Sequence, residues 1–402
     1  VRARSAWAER WPTVRLAYLF EPRTETDQPA LDVLSVYRDY GVIRKDSRDD
    51  NFNRTPADLS RYQVVYTGDL VVNRMKAWQG SLGVSAYQGL VSPDYEVLRP
   101  KTSQWDMRFL HHLLRSRPMI GEYAIRSTGI RPSQWRLYWA QMRMIDVPVP
   151  ELPEQRAIAE YLDRETARID TLIEEQLRLI EMLNERRASL IARTLLRGLT
   201  CSPLRDSGDA RLGTIPVHWR LVPTRHLCSI TTGSEDSGNA TDDGEYPFYV
   251  RGRQILRIGH YSFDCEAVMT PGDGQGGTGK VFHYATGKFE AHQRVYVFKD
   301  FAGVSGRYFY YYLSTFLRPV ALASSNTVTM ESLRRPVLAD FGVVVPPDNE
   351  QIQIVNFLDA QTVKIDDLIM ETERFIELAR ERRAALITGA MTGQIDIRGE
   401  AD

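Results

Sequence analysis

Val147-Pro-Val-Pro-Glu-Leu-Pro-Glu-Gln-Arg-Ala-Ile-Ala-Glu-Tyr-Leu-Asp163 opens a charged segment, striped with apolar residues, that runs on to about Arg197. Val343-Val-Val-Pro-Pro-Asp-Asn-Glu-Gln-Ile-Gln-Ile-Val-Asn-Phe-Leu-Asp359 opens a second, which runs to about Thr392. The two align without a gap at an offset of 196 residues: Gln155 with Gln351, Asp170 with Asp366, and Glu185-Arg-Arg-Ala188 with Glu381-Arg-Arg-Ala384. A long ungapped internal repeat outranks any local motif as a guide to architecture.

Each copy reads as one long helix. Pro153 suits the first helical position, where its missing N–H costs nothing, and Asp348 or Asn349 can cap the second copy. Apolar residues return every three or four positions, at Ile158, Leu162, Ile169, Leu172, Leu179, Leu183 and Leu190. The second copy has Ile354, Leu358, Ile365, Leu368, Phe375 and Leu386, and isoleucines at 173, 180, 191, 369, 376 and 387 widen the stripe. No Gly or Pro interrupts Glu154 to Arg197, so at about 1.5 Å per residue each rod is roughly 60 Å long. A rod of that length with one apolar face needs a partner, and its twin in the same chain is the obvious one, packed antiparallel. The expected seam uses Leu162, Ile169, Leu172, Leu179 and Leu183 against Leu358, Ile365, Leu368 and Phe375.

Working outward, the rods alternate with two globular blocks, giving residues 1–146, 147–199, 200–342 and 343–397 as the expected segments. The fold class is therefore α+β: two mixed α/β blocks joined by two long helices forming an antiparallel coiled coil, with a pseudo-twofold internal repeat. In the first block, β-like runs at Leu31–Tyr37, Gln63–Tyr66, Leu70–Asn73 and Glu96–Leu98 precede an amphipathic helix over Asp106–Arg115. The second follows the same order more loosely. Trp219 and Leu227 keep the spacing of Trp11 and Leu19, and Gly276 and Gly279 stand 196 residues after Gly80 and Gly83. Val297-Phe-Lys299 stands 200 after Val97-Leu-Arg99, and Arg307-Tyr-Phe309 stands 199 after Arg108-Phe-Leu110. The blocks have diverged while the rods have not, so the rods share one job and the blocks do different versions of another.

Composition is that of an ordinary globular chain, 43% hydrophobic and 26% charged, with room for two or three domains. No apolar run approaches a membrane span, no signal peptide opens the sequence, and Cys201, Cys228 and Cys265 lack metal-site spacing. These features point to a reducing cytoplasm. The net charge of −1 hides an asymmetry: +6 over residues 1–146 and +1 over 201–342, against −2 over 147–200 and −6 over 343–402.

Enzyme chemistry is nearly spelled and then fails. Gly274-Gln-Gly-Gly-Thr-Gly279-Lys280 resembles a phosphate-binding loop, but Val281 stands where magnesium needs Ser or Thr, and a strand follows instead of a helix. Pro93-Asp94-Tyr-Glu96 lacks the Glu-x-Lys partner of a metal nuclease. His111-His112 are adjacent on a helix and cannot share a metal by i, i+4 geometry. Neither a glycine-rich cofactor fingerprint nor the Asn-Pro-Pro-Tyr loop of an amino-methyltransferase is present.

Several loops instead combine bidentate side chains with aromatics, the residue types that read base edges and phosphates. In the first block the candidates are Asn73, Arg74, Lys76 and Gln79, beside Trp78, and Arg131, Gln134 and Arg136, around Trp135. In the second they are Arg251, Arg253 and Gln254; Gln275 and Lys280; Gln293 and Arg294; and Asn326. Any one of these taken alone is more simply a solvated loop residue. The set, placed at matching points of two repeated blocks, is better explained as a binding surface.

The chain resembles a specificity subunit of a type I restriction–modification system. The likeness rests on Pro150-Glu-Leu-Pro-Glu-Gln-Arg-Ala-Ile-Ala-Glu-Tyr-Leu-Asp163 and its echo at 346–359, on Ile169-Asp-Thr-Leu-Ile173 and Ile365-Asp-Asp-Leu-Ile369, and on the two Glu-Arg-Arg-Ala tails. Gly213-Thr-Ile-Pro-Val-His-Trp219 and Leu386-Ile-Thr-Gly389 through Ile395 add to it, whereas the first block opens with Trp11-Pro12 in place of Ile-Pro-x-x-Trp. The resemblance implies two target-recognition domains, each reading half of a bipartite, asymmetric site in double-stranded DNA. It further implies that the rods act as spacer and docking surface for two modification (methyltransferase) subunits, which bind S-adenosylmethionine and methylate adenine. A restriction subunit using ATP and magnesium is compatible with it. By the same resemblance this chain is non-catalytic, binds no cofactor or metal itself, and works in a bacterial or archaeal cytoplasm. The alternative from another class is a coiled-coil adaptor whose globular ends bind proteins; sequence-specific methylation distinguishes the two.

Overall fold

The computed structural model describes residues 11–38, 40–47, 55–102, 104–131, 134–273, 279–324 and 333–395. It is mixed helix and sheet, dominated by a central helix, Leu152–Arg197, and a C-terminal helix, Asp348–Met391. Glu151 accepts from the Gln155 amide at 2.9 Å, and Pro347 accepts from Glu350 and Gln351 at 2.9 and 3.0 Å. The main-chain carbonyls of Glu151 and Pro347 therefore start the helices. Asp348 is the first helical residue rather than the cap, and Pro153 lies one place inside Leu152.

Contacts divide the chain into two units, Val1–Gln176 with Glu373–Asp402, and Leu177–Thr372. Each unit thus combines one block with the first part of one long helix and the last part of the other, and the two segments run antiparallel. In the first unit Arg383 binds Asp170 through Nε at 2.8 Å and Nη2 at 3.2 Å. In the second, Arg187 meets Asp366 at 3.2 Å. These are the same pair with its repeat copies exchanged, since 170 matches 366 and 187 matches 383.

Burial corrects the expected seam. Leu162, Ile169, Leu358 and Ile365 are buried and Leu183 is half-buried, but Leu172, Leu179, Leu368 and Phe375 are 43, 36, 50 and 44% exposed. The covered positions are Ile158, Leu162, Thr166, Ile169, Ile173, Gln176, Ile180, Leu183 and Arg187. Each has its counterpart 196 residues later, from Ile354 to Arg383. A two-helix seam is narrow and advances in steps of three and four residues, so only one edge of a wide apolar stripe fits beneath the partner. The isoleucines take that edge and the leucines next to them stay outside.

The two blocks share one topology. The first has a four-stranded antiparallel sheet in the order Phe20–Pro22, Tyr95–Pro100, Leu70–Asn73, Leu82–Val84. The second has Ser229–Thr232, Val295–Lys299, Ala267–Pro271, His283–Ala285 in the same order. Both blocks add a hairpin, Leu34–Tyr37 with Gly41–Arg44 and Tyr246–Tyr249 with Ile255–Ile258. Both also close on themselves by pairing a strand near the start with one before the long helix, Thr13–Arg15 with Asp146–Pro148 and Arg220–Pro223 with Gly342–Val345.

Helix Met107–Leu114 covers the first sheet and helix Gly306–Ser324 the second. The first core gathers Leu16, Phe20, Leu70, Leu98, Phe109 and Leu113 with Leu162 and, from the other long helix, Ala390 and Met391. The second gathers Trp219, Phe298, Tyr308, Phe309 and Leu313 with Leu358 and Leu195. No helix among the described residues is long and apolar enough to cross a membrane.

Candidate nucleic-acid interface

The attachment of each block to its helix is the fixed part of the design. The residue capping the covering helix, Asp106 or Ser305, donates its amide to a buried glutamine Oε1, Gln155 at 3.0 Å and Gln351 at 2.9 Å. The Nε2 of the same glutamine binds the carbonyl of Pro150 or Pro346, at 2.9 and 3.0 Å. Trp11 and Trp219 donate their indole N–H to Glu154 and Glu350, at 3.1 and 2.9 Å. One aspartate per helix then anchors the covering helix. Asp163 takes His112 at 2.7 Å and Arg108 at 3.4 Å, while Asp359 takes Arg307 at 2.6 Å and Tyr311 at 2.5 Å. The His112 hydrogen bond foremost, then Arg108, holds the Asp163 carboxyl below its ordinary range.

The candidate loops take no part in these attachment bonds. In the first block, Asn73–Gln79 leaves the end of a core strand, and the segment around Arg131–Arg136 follows helix Arg117–Arg126. The two are brought together. Leu137 donates its amide to the Arg74 carbonyl at 2.9 Å, and Trp78 meets Trp135 edge-on at 5.4 Å. Lys76, Gln79, Arg131 and Gln134 are exposed and Arg136 is half-buried. Among the described residues none of these three cations has an ion pair. Two candidates are more constrained than the sequence suggests. Arg74 binds the carbonyls of Asp94 and Pro93, both at 2.8 Å, and faces Glu96 at 3.9 Å, so it braces the loop. Asn73 Oδ1 accepts from the Met75 amide at 3.1 Å, and its side chain also hydrogen-bonds Tyr95.

The second block repeats the arrangement. Gly272 directly follows strand Ala267–Pro271 as Arg74 follows Leu70–Asn73, and its carbonyl accepts at 2.7 Å from the amide of Leu333, which stands 196 residues after Leu137. Gln275 and Asn326 lie outside the described residues. Lys280 is exposed beside Gly279, whose backbone lies close to Arg318. The sequence reading missed Arg318, an exposed cation near the end of a helix with no polar cluster to mark it. Strand His283–Ala285 follows, so no helix N-terminus forms after Lys280.

Asp273 draws in two candidates, Arg294 at 3.0 Å and Arg251 at 3.7 Å, and Gln293 reaches Asp236 at 3.3 Å. These three therefore form one cluster rather than separate loops. Beside them, burial, with the Arg251 guanidinium adding to it, holds His292 below the ordinary histidine range. The neutral ring accepts from the Arg294 amide through Nδ1 at 3.0 Å. Arg253 and Gln254 are exposed at the tip of the hairpin. Among the described residues no group of three or more His, Cys, Asp and Glu is placed to hold a metal ion.

A family model described as the type I restriction modification DNA specificity domain matches residues 216–374. The type I restriction enzyme EcoDI specificity subunit of Escherichia coli is 28% identical over 183 residues, 46% of this chain and 40% of that protein. The chain thus spans less than half the length of that relative in the match. The putative type I restriction enzyme MjaX specificity subunit of Methanocaldococcus jannaschii is 19% identical over 372 residues, 85% of this chain and 81% of its own. Among solved structures, a chain from a study of complex assembly and conformational transition of the type I R-M system superposes with a TM-score of 0.74. It is 15% identical and covers 97% of this chain and 99% of its own. The HsdS subunit from Thermoanaerobacter tengcongensis gives 0.51 at 16% identity, covering 96% and 98%. At these identities the structural likeness concerns the fold. The family model over residues 216–374, the relatives and the fold agree: the chain carries a type I restriction modification DNA specificity domain and is similar to the specificity subunits of those systems.

Proposed function

We propose that this chain reads DNA sequence for a type I restriction–modification complex, each block contacting one half of a split, asymmetric site. The observation that carries the reading is the repeated stitching of two polar loops by Leu137 to Arg74 and by Leu333 to Gly272, at the same place in two blocks of one topology. The loops differ in side chains while the stitching and the attachment to the helices do not. Such a scaffold suits two half-sites of different sequence. Exposed Lys76 and Arg131 with half-buried Arg136, and exposed Arg251, Arg253 and Lys280, supply phosphate contacts or bidentate contacts to guanine; Gln79, Gln134 and Gln254 suit adenine.

The helices serve as spacer and docking surface. Leu172, Leu179 and Met182 stand exposed, and so do Leu368, Phe375 and Leu378, each 196 residues on. An apolar stripe left outside the seam and repeated in both copies supports docking of two copies of one partner, the methyltransferase subunit. S-adenosylmethionine chemistry belongs to that partner in this proposal, as does any ATP-dependent restriction to a further subunit, and this chain contributes recognition without catalysis.

Co-expression with the methyltransferase subunit and single-molecule sequencing of the host DNA tests the reading. The expected result is methylation at a two-part, non-palindromic motif; absence of any sequence-specific methylation would favour a protein adaptor. Inserting seven residues at one seam position of both helices keeps the seam in phase and adds about 10.5 Å. The gap between half-sites should then grow by about three base pairs at 3.4 Å each, with each half-site unchanged. A modified motif that keeps its original gap would refute the spacer role.

A further inference from the structure

The first reading end carries one side chain that its polar candidates do not explain. Ile130 is 95% exposed, the most exposed large apolar side chain of the described residues. It does not sit on a loose strand of chain. Thr128 and Arg136 bridge through two backbone hydrogen bonds of 3.0 and 2.9 Å, and the Gln134 amide binds the Arg131 carbonyl at 2.8 Å. Gly129 lies so close to Gln134 that a Cβ there would stand 2.7 Å from its carbonyl oxygen. The edge contact of Trp135 with Trp78 then fixes this loop to Asn73–Gln79. A built loop therefore holds a branched apolar side chain clear of the protein. Arg131 adjoins it in sequence, Arg136 closes the base of the loop, and Lys76 projects from the loop stitched to it.

Resting on the DNA-reading function above, we propose that Ile130 is a wedge inserted between two base pairs of the half-site read by the first block. Proteins that kink or unstack DNA use an aliphatic side chain standing proud of a surface whose cations grip the flanking phosphates. The side chain is 95% exposed, the described residues around it are tied by backbone hydrogen bonds, and exposed Arg131 and Lys76 belong to the two stitched segments. A polar reader at this position would need no such projection, and a core role is excluded by the exposure. As a wedge, Ile130 favours half-sites with an easily unstacked step, such as a pyrimidine followed by a purine, giving selectivity without a hydrogen bond to a base.

The test uses the full complex with its methyltransferase subunits, and duplexes carrying 2-aminopurine at successive positions of the first half-site. With the wild-type complex, fluorescence should rise several-fold at one step. With Ile130→Ala that rise should vanish and affinity should fall about tenfold, whereas Ile130→Leu keeps both. A base extruded for methylation also brightens, but its signal persists in Ile130→Ala and so identifies itself. Unchanged affinity and unchanged fluorescence in Ile130→Ala overturn the wedge and leave the DNA-reading function standing. Lost affinity without any unstacked step also overturns it, assigning Ile130 to a surface contact such as a thymine methyl. A wild-type complex that binds no DNA overturns both.

Discussion

Asp163 is held by Arg108 and His112, and Asp359 by Arg307 and Tyr311, so at the attachment the two blocks change one partner in two and keep the bond. At the reading ends even the sign changes. In the first block Arg74 closes the junction onto the carbonyls of Pro93 and Asp94. In the second, Asp273 stands at that junction and takes Arg294, the residue 200 places after Asp94. An attachment buried against a shared helix must satisfy the same backbone groups in both copies, which leaves few choices. A solvent-facing junction needs only some closing interaction, and either polarity supplies one. The contrast teaches that duplication froze the part that bears on the helices and released the part that faces solvent.

The largest effect expected from breaking this contrast is on recognition. Replacing Arg131 and Gln134 by Ala should cost a hundredfold or more in specific affinity, since each good bidentate contact contributes about 1–3 kcal/mol of discrimination. The damage should be confined to one half of the methylated motif, and Arg253 with Gln254 should damage the other half. Methylome sequencing of both variants checks this; loss spread over both halves would deny the division of labour.

On the frozen side, Leu162→Ala and Leu358→Ala each remove a fully buried seam residue and should cost about 2–5 kcal/mol in denaturant unfolding. The two costs should be alike. Leu172→Ala and Leu368→Ala should cost the isolated chain within about 0.5 kcal/mol while weakening capture of the methyltransferase subunit. Calorimetry of both pairs, with and without that subunit, separates packing from docking.

Acid should tell the units apart by a smaller amount. Burial first, and then the Arg115 charge, push the His111 ring down to about 3 from its usual 6.5, whereas the matching residue of the second block is Tyr310. A histidine depressed on folding binds fewer protons folded than unfolded, so its stability is complete above about pH 6.5 and falls as pH drops toward 3. By pH 5 the loss is on the order of 2 kcal/mol. Amide exchange at pH 7 and pH 5 should show the first unit loosening ahead of the second, and His111→Phe should reduce the difference. Smallest of all, Arg383→Ala and Arg187→Ala remove half-exposed ion pairs and should each cost about 0.2–1 kcal/mol, fading as salt rises.

Much of the architecture is legible in the residues because the repeat is covalent information: the offset of 196 defines two helices and two blocks before any contact is known. The shared sheet order is also foreshadowed by Gly80, Gly83 and their counterparts. What the sequence hides is direction. Leu172 and Ile173 are both apolar and adjacent, and only the narrow partner surface decides that Ile173 goes in. Gln155 is visible as a repeated residue, but its bonds go to main-chain groups of Asp106 and Pro150, which carry no side-chain signature. The bracing by Arg74 is hidden for the same reason, its partners being the carbonyls of Pro93 and Asp94. The loops could be named as polar clusters, yet the stitching that joins them is again backbone to backbone. Ile130 stands out by exposure alone, a quantity that sequence does not carry.

The first core is walled in part by Leu386, Ile387, Ala390 and Met391. Those residues leave the ribosome roughly 200 residues after the helix segment they cover, a delay on the order of 10–40 s at 5–20 residues per second. Throughout that interval the nascent first block has an open apolar side. Its maturation therefore waits on synthesis of the second long helix, and a chain cut before that helix is made would lose the soundness of its first block.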